Sequence, residues 1–187
     1  MGVKLQKRMR SIKVFVISVF IMMGFLGLIT LFLPSKVTVS KSILINATEA
    51  EVAKEIGAFK NWKNWYPAFQ NQNIAITTSQ KNDSSFVILT DEKQRKLSMS
   101  MIKSGPENID ILLFAENKNN ITYQFILSPD RTGQTQLTWN VNTTLPWYPW
   151  KKITGIFLDK VTGPQYQAAL QNLKIAVEKI HQEASPK

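Results

Sequence analysis

Few side chains in this chain have the types and spacing that acid–base, nucleophilic or metal chemistry requires. Its one histidine, His181, lies near the carboxy terminus, and no pair of histidines or carboxylates stands at ligand spacing. The lack of cysteine excludes a catalytic thiol, disulfides, thiolate zinc sites and the lipidated cysteine of a lipoprotein. No glycine-rich loop is present to cradle phosphate. Asp110 sits between Ile109 and Ile111, and strand alternation turns it to the opposite, solvent-side face. Ser98 and Ser100 alternate with Met99 and Met101, which places the methionines inside and the serines outside. No catalytic residue, metal ligand or cofactor is expected, and this inventory argues against an enzyme.

The chain offers aromatic and apolar surface instead. The stretch "FKNWKNWYPAFQ", Phe59 to Gln70, puts Trp62 and Trp65 three apart on one side of a short helix, with Phe59 and Tyr66 as neighbours. Each such ring buries roughly 150–250 Å², and at about 25 cal/mol per Å² the set costs several kcal/mol if left in water. It is therefore either a core plug or part of a cavity wall. A second cluster, "LPWYPWKK" from Leu145 to Lys152, carries two prolines and lies in a connection. Trp147, Tyr148, Trp150, Lys151 and Lys152 are the residue types of a membrane-interface belt. They would dip into a leaflet, gate a cavity mouth or pack against the last helix. Arg95 shares the face of Leu97 and Met99. Turned inward it would contact a ligand's phosphate or carboxylate; turned outward it would reach water.

The elements that must position these residues follow from hydrophobic periodicity. "KVTVSKSILIN" alternates Val37, Val39, Lys41, Ile43 and Ile45 against Thr38, Ser40, Ser42 and Leu44, which predicts a strand. Thr48 with Glu51 predicts a capping box and a short helix carrying Val52, Ile56 and Phe59. Six further strands are predicted, at 74–79, 85–90, 95–103, 108–115, 121–128 and 134–143, separated by turn-rich stretches. Their inner faces carry Leu97, Met99 and Met101; Ile109, Ile111 and Leu113; Ile121, Tyr123, Phe125 and Leu127; and Leu137, Trp139 and Val141. Tyr166, Leu170, Leu173, Val177 and Ile180 recur at helical spacing, so an amphipathic helix is expected to cover the sheet. "TGP" at 162–164 is expected to interrupt or kink it, leaving a shorter piece over 150–160.

This order resembles the START-like or SRPBCC superfamily. More narrowly, "VSKSILINATEAEVAKEIGAFKNWKNWYPAF", "TQLTWNVN" and "GPQYQAALQNLKIAVEK" resemble the polyketide cyclase/dehydrase-like lipid-transport group. The resemblance spans about 36–179 and implies an α+β helix-grip fold: a curved antiparallel sheet of about seven strands wrapped on a long carboxy-terminal helix, with two short helices after the first strand. The middle departs from it, because "NQNIAITTSQKNDSS" lacks the glycine-rich stretch and extra tryptophan usual there. Members hold apolar molecules between sheet and helix. Here that implies a cavity walled by Trp65, Met99, Met101, Tyr123 and Phe125, together with Trp139, Phe157, Tyr166 and Leu170.

Charge and length set the surroundings. The formal charge is +10, and five of the basic residues, Lys4, Lys7, Arg8, Arg10 and Lys13, precede a twenty-residue run without charge, "VFVISVFIMMGFLGLITLFL". At about 1.5 Å per residue such a run spans roughly the 30 Å hydrocarbon layer. The expected organisation is a basic cytoplasmic segment 1–13, a transmembrane signal anchor 14–33, a ligand-binding domain 36–182 and a flexible tail 183–187. By the positive-inside rule the domain is expected in a periplasm or outside the cell, so nucleic acid is not an expected partner. The expected partners are the membrane and a hydrophobic small molecule or lipid, and the expected function is a membrane-anchored binding domain. Two alternatives are a cyclase- or dehydratase-type enzyme, and a ligand-free interaction domain of an envelope complex or stress response.

Overall fold

The structure is a computed structural model that describes residues 2–71, 73–81, 84–115 and 121–184, with the side chains of 2–11, 29, 30, 79–81, 84, 85, 115 and 184 excepted. The chain starts with helix α1 (Gly2–Phe32), and residues 33–35 lead directly into strand β1 (Lys36–Ile45). The apolar run lies in α1. Its residues are exposed on every side, Phe15, Phe20, Phe25 and Leu31 among them. Among the described residues no helix is long and apolar enough to cross a membrane.

Strands β2 (Ala75–Lys81), β3 (Ser84–Thr90), β4 (Lys96–Ser104), β5 (Asn108–Ala115), β6 (Ile121–Pro129) and β7 (Thr135–Thr144) form a seven-stranded antiparallel sheet with β1, ordered β1-β7-β6-β5-β4-β3-β2. Sequential hairpins build the meander, and β1 closes on β7 with Lys41 opposite Trp139 and Ile43 opposite Leu137. The alternation is the one the sequence dictates. Met99, Met101, Ile109, Ile111, Leu113, Tyr123, Phe125, Leu127, Leu137, Trp139 and Val141 are all buried on one face. A bulge between Met101 and Lys103 leaves Ile102 exposed.

Between β1 and β2 run α2 (Glu49–Gly57), a 3₁₀ helix (Phe59–Asn64) and α3 (Pro67–Gln70). The capping box that opens α2 is formed: Thr48 Oγ1 accepts from the Glu51 amide, and the Glu51 carboxylate accepts from the Thr48 amide at 2.8 Å. The 3₁₀ helix has a consequence for the aromatics. With three residues per turn, Phe59, Trp62 and Trp65 recur along one line, so all three rings enter the core.

Helix α4 (Pro149–Ile156) and helix α5 (Leu158–Ala184) complete the chain. Here the sequence expectation needs correction. The break falls at Phe157, and α5 runs on through Thr162, Gly163 and Pro164. Pro164 lies in the second turn, where it removes the amide that would bond the Lys160 carbonyl without ending the helix. Gly163 serves contact rather than a break: a Cβ there would come within 2.8 Å of Asp159 Oδ1 and 3.0 Å of Lys41 Cε. Lys41, the one charged residue on the inner face of β1, lies across that bare backbone to pair with Asp159 at 2.9 Å. Ala169, Leu170, Leu173 and Val177 of α5 are buried, whereas Ile180 at the end of the predicted stripe is largely exposed.

His181, near the carboxy terminus, is held. Its Nδ1 lies 3.0 Å from both Glu51 oxygens, tying the end of α5 to the start of α2. The His181 bond, followed by the Thr48 amide, pulls the Glu51 carboxyl from an ordinary 4.5 down to about 2. A depressed carboxyl stabilises the fold above its ordinary value and loses that contribution as pH falls toward the depressed one. Thermal unfolding should therefore show the native chain ahead of Glu51→Gln at pH 6, with the gap closing between pH 4.5 and about 2. A gap that stays constant over that window would rule out this clamp.

Candidate functional site

Between the sheet and α5 lies a packed aromatic cluster, the aromatic chamber, whose rings are in mutual contact. Trp62 and Trp65 enter from the 3₁₀ helix, Tyr66 from the start of α3, Tyr123 and Phe125 from β6, Trp139 from β7 and Tyr166 from α5. The rings sit edge to face or tilted, as their quadrupoles favour, with centroids 4.7 Å apart for Trp62 and Trp65, 5.0 Å for Tyr123 and Trp139, and 4.9 Å for Trp139 and Tyr166. Phe125 stacks on Trp139 at 4.9 Å.

Of the nine residues expected to wall a cavity, Trp65, Met99, Met101, Tyr123, Phe125, Trp139 and Leu170 lie in one buried cluster, with Tyr166 half-buried against it. Phe157 is placed elsewhere, at the α4–α5 junction and half exposed. Arg95 also lies apart. Strand β4 begins after it, and its guanidinium folds back on Asp91 of the preceding turn at 2.6 Å. That side chain faces solvent.

The polar atoms of the chamber are neutral. The Tyr66 and Tyr123 hydroxyls are 2.9 Å apart, and the Tyr166 ring packs edge-on to Tyr123 with centroids 6.1 Å apart. Burial pushes the Tyr66 phenol up to about 12 and Tyr123 well above its usual range, with Tyr166 raised for the same reason. All three stay protonated at physiological pH. The three buried tryptophans differ in one respect: Trp62 Nε1 donates to the Ile56 carbonyl at 2.7 Å, whereas Trp65 Nε1 and Trp139 Nε1 have no partner among the described residues.

The second aromatic cluster forms the end of the β7 connection and α4. Trp147 and Trp150 are 80 % and 64 % exposed, Lys151 is exposed and Tyr148 is half-buried against Trp150. Lys152 departs from its neighbours. It is only 8 % exposed, and its Nζ donates to the Leu33 carbonyl at 3.0 Å, just past the end of α1. The face of α4 turned to the protein thus carries Lys152 and Gly155, where a Cβ would overlap the Leu145 side chain. Its outward face carries Trp150, Ile153 and Ile156, and Phe157 and Val161 extend it into α5. A helix seated in water normally hides its apolar side; α4 presents it.

Sequence reasoning had the aromatic types but not this arrangement. Tyr66 was visible as a neighbour of Trp65, whereas its hydroxyl contact to Tyr123 joins positions 57 apart. The outward face of α4 was readable as Trp150, Ile153 and Ile156 at three-residue spacing, once a helix start at Pro149 is recognised.

No protein-family model matches the sequence, and no curated protein matches it. Solved structures do match, and they share the helix-grip fold. The Zhui aromatase/cyclase from a Streptomyces species is 12% identical, with a TM-score of 0.62 over 81% of this chain and 99% of that one. A protein of unknown function from Staphylococcus aureus matches equally, 12% identical with a TM-score of 0.62 over 79% of this chain and 96% of that one. The di-domain aromatase/cyclase StfQ of the steffimycin biosynthetic pathway is 12% identical with a TM-score of 0.60 over 78% of this chain and 52% of that one. This chain has the fold of those proteins: an antiparallel seven-stranded sheet closed by a long carboxy-terminal helix.

Proposed function

We propose that this protein is a membrane-anchored, extracytoplasmic binding domain that holds a hydrophobic small molecule or lipid between its sheet and α5. The aromatic chamber carries this reading: large apolar rings from four separate segments converge on the face that helix-grip proteins use around a ligand. Two neighbours are named as aromatase/cyclases, which keeps a cyclase-type enzyme as the rival. The buried carboxylate on this side of the sheet, Glu55, is held by Asn64 Nδ2 at 3.0 Å, and the sequence has no cysteine and a single histidine, itself paired with Glu51, so binding is preferred to catalysis. A saturable titration with the apolar fluorophore N-phenylnaphthylamine tests the reading. Leu170→Trp, which adds bulk to the chamber wall, should abolish saturation while far-ultraviolet circular dichroism stays native; an unchanged titration would count against a ligand in this chamber.

The anchor in this reading rests on the sequence, the twenty-residue charge-free run 14–33 preceded by basic residues, since among the described residues no helix has the length and hydropathy of a span. The outward face of α4 and the loop before it lie against the same leaflet, with Trp147 and Trp150 at headgroup depth and Lys151 toward the phosphates. Lys152 is not part of that contact; it fastens α4 to the end of α1. Tryptophan emission of the full chain in vesicles of brominated phosphatidylcholine reads this directly, since the other three tryptophans are fully buried. Quenching should fall to a small residue in the Trp147→Phe/Trp150→Phe variant. Equal quenching in native and variant chains would remove α4 from the membrane.

A further inference from the structure

Burial of a hydrogen-bond donor without a partner is unfavourable, and native interiors keep few of them. Two occur here within one chamber, the indole N–H groups of Trp65 and Trp139, whose rings are 6.2 Å apart and fully buried. Trp62, between the same layers, has its N–H satisfied by the Ile56 carbonyl, so local backbone could serve an indole here where a partner was needed. The Tyr66 and Tyr123 hydroxyls lie in the same ring cluster and engage each other rather than either indole. The charged side chains nearest these elements are already engaged: Lys41, opposite Trp139 on the inner face of β1, pairs with Asp159 at 2.9 Å, and the buried Glu55 accepts from Asn64 Nδ2 at 3.0 Å. An anion would enter without a counter-charge and at a large desolvation cost.

We infer that the chamber takes an uncharged, largely apolar molecule bearing carbonyl or hydroxyl oxygens, which accept hydrogen bonds from the indole N–H groups of Trp65 and Trp139. The inference rests on the proposed ligand-binding reading and narrows it: the rings supply affinity by burial, and the two donors select for an acceptor oxygen. Three side chains around Trp139, those of Tyr66, Tyr123 and Tyr166, remain protonated and so add hydroxyls rather than charge.

Three probes of similar shape separate the cases: 2-acetylnaphthalene, the hydrocarbon 2-ethylnaphthalene and 2-naphthoate. Each is titrated into the full chain in lipid nanodiscs with ¹⁵N-labelled tryptophan, whose five indole resonances are assigned by single Trp→Phe variants. The ketone should bind about tenfold or more tightly than the hydrocarbon, because it satisfies a buried donor. It should move the Trp65 or Trp139 indole proton downfield and leave those of Trp62, Trp147 and Trp150 in place. Trp65→Phe/Trp139→Phe should abolish that preference while the hydrocarbon binds as before. Equal binding of ketone and hydrocarbon without an indole shift overturns the acceptor inference but leaves an apolar site standing. Tighter binding of the naphthoate overturns the uncharged class. Binding of none of the probes, with water cross-peaks at both indole protons, overturns inference and chamber reading together, since trapped water then satisfies the donors.

Discussion

Trp62→Ala lowers the unfolding free energy by about 3–5 kcal/mol, the range for removing a large ring from a packed core. Trp62 is the residue on which the aromatic layer closes: it touches Phe59, Trp65, Tyr66, Phe69 and Phe125 within 6.3 Å. Its N–H also serves the Ile56 carbonyl at the end of α2. Trp62→Phe keeps most of the ring burial and leaves that carbonyl unpaired, so a smaller loss of about 1–3 kcal/mol is expected. Urea unfolding followed by far-ultraviolet circular dichroism distinguishes the two, and equal losses would mean that ring volume contributes little. Domains of this size hold only about 5–15 kcal/mol in reserve, so the alanine variant should be partly unfolded at body temperature.

Lys152→Glu should destabilise the α1–α4 joint by about 3–5 kcal/mol, because it replaces a paired ammonium by a buried carboxylate beside a carbonyl. The native side chain is nearly inaccessible and donates to Leu33 O at 3.0 Å, where the negative end of the α1 dipole favours a cation. Lys152→Met preserves the stem and should cost about 1–3 kcal/mol. Limited proteolysis at residues 33–36 reads the joint itself: cleavage should accelerate in the order native, methionine, glutamate. Identical cleavage rates in all three would show that Lys152 does not fasten α4 to α1.

The strands were legible because one face is buried and the other is not. From Met99 to Val141 the large apolar inward residues could be named from alternation, though not the buried Thr135, and the capping box at Thr48 and Glu51 located α2. The 3₁₀ helix was harder to read, since Phe59, Trp62 and Trp65 at three-residue spacing also suit an α-helical stripe. Pro164 misled, because proline position within a helix decides whether it breaks, and the true break at Phe157 carries no proline or glycine signal of its own. Long-range pairs were beyond reach. Nothing local in "KSI" reveals that Lys41 leaves the apolar face over Gly163 for Asp159, nor that His181 meets Glu51. The chamber was half legible: alternation gave Tyr123, Phe125 and Trp139 their side, while the missing partners of the Trp65 and Trp139 indoles exist only once the rings are packed.

In the proposed reading an apolar molecule lies between the sheet and α5. Native mass spectrometry of the full chain, released from nanodiscs made with the membranes of the cells that express it, tests this most directly when followed by lipid extraction. A single stoichiometric adduct of uncharged, oxygen-bearing apolar character is the predicted result, lost in Leu170→Trp. A clean apo mass, repeated after incubation with total lipid extract, would contradict the account and leave a helix-grip domain whose chamber is filled by its own aromatic rings.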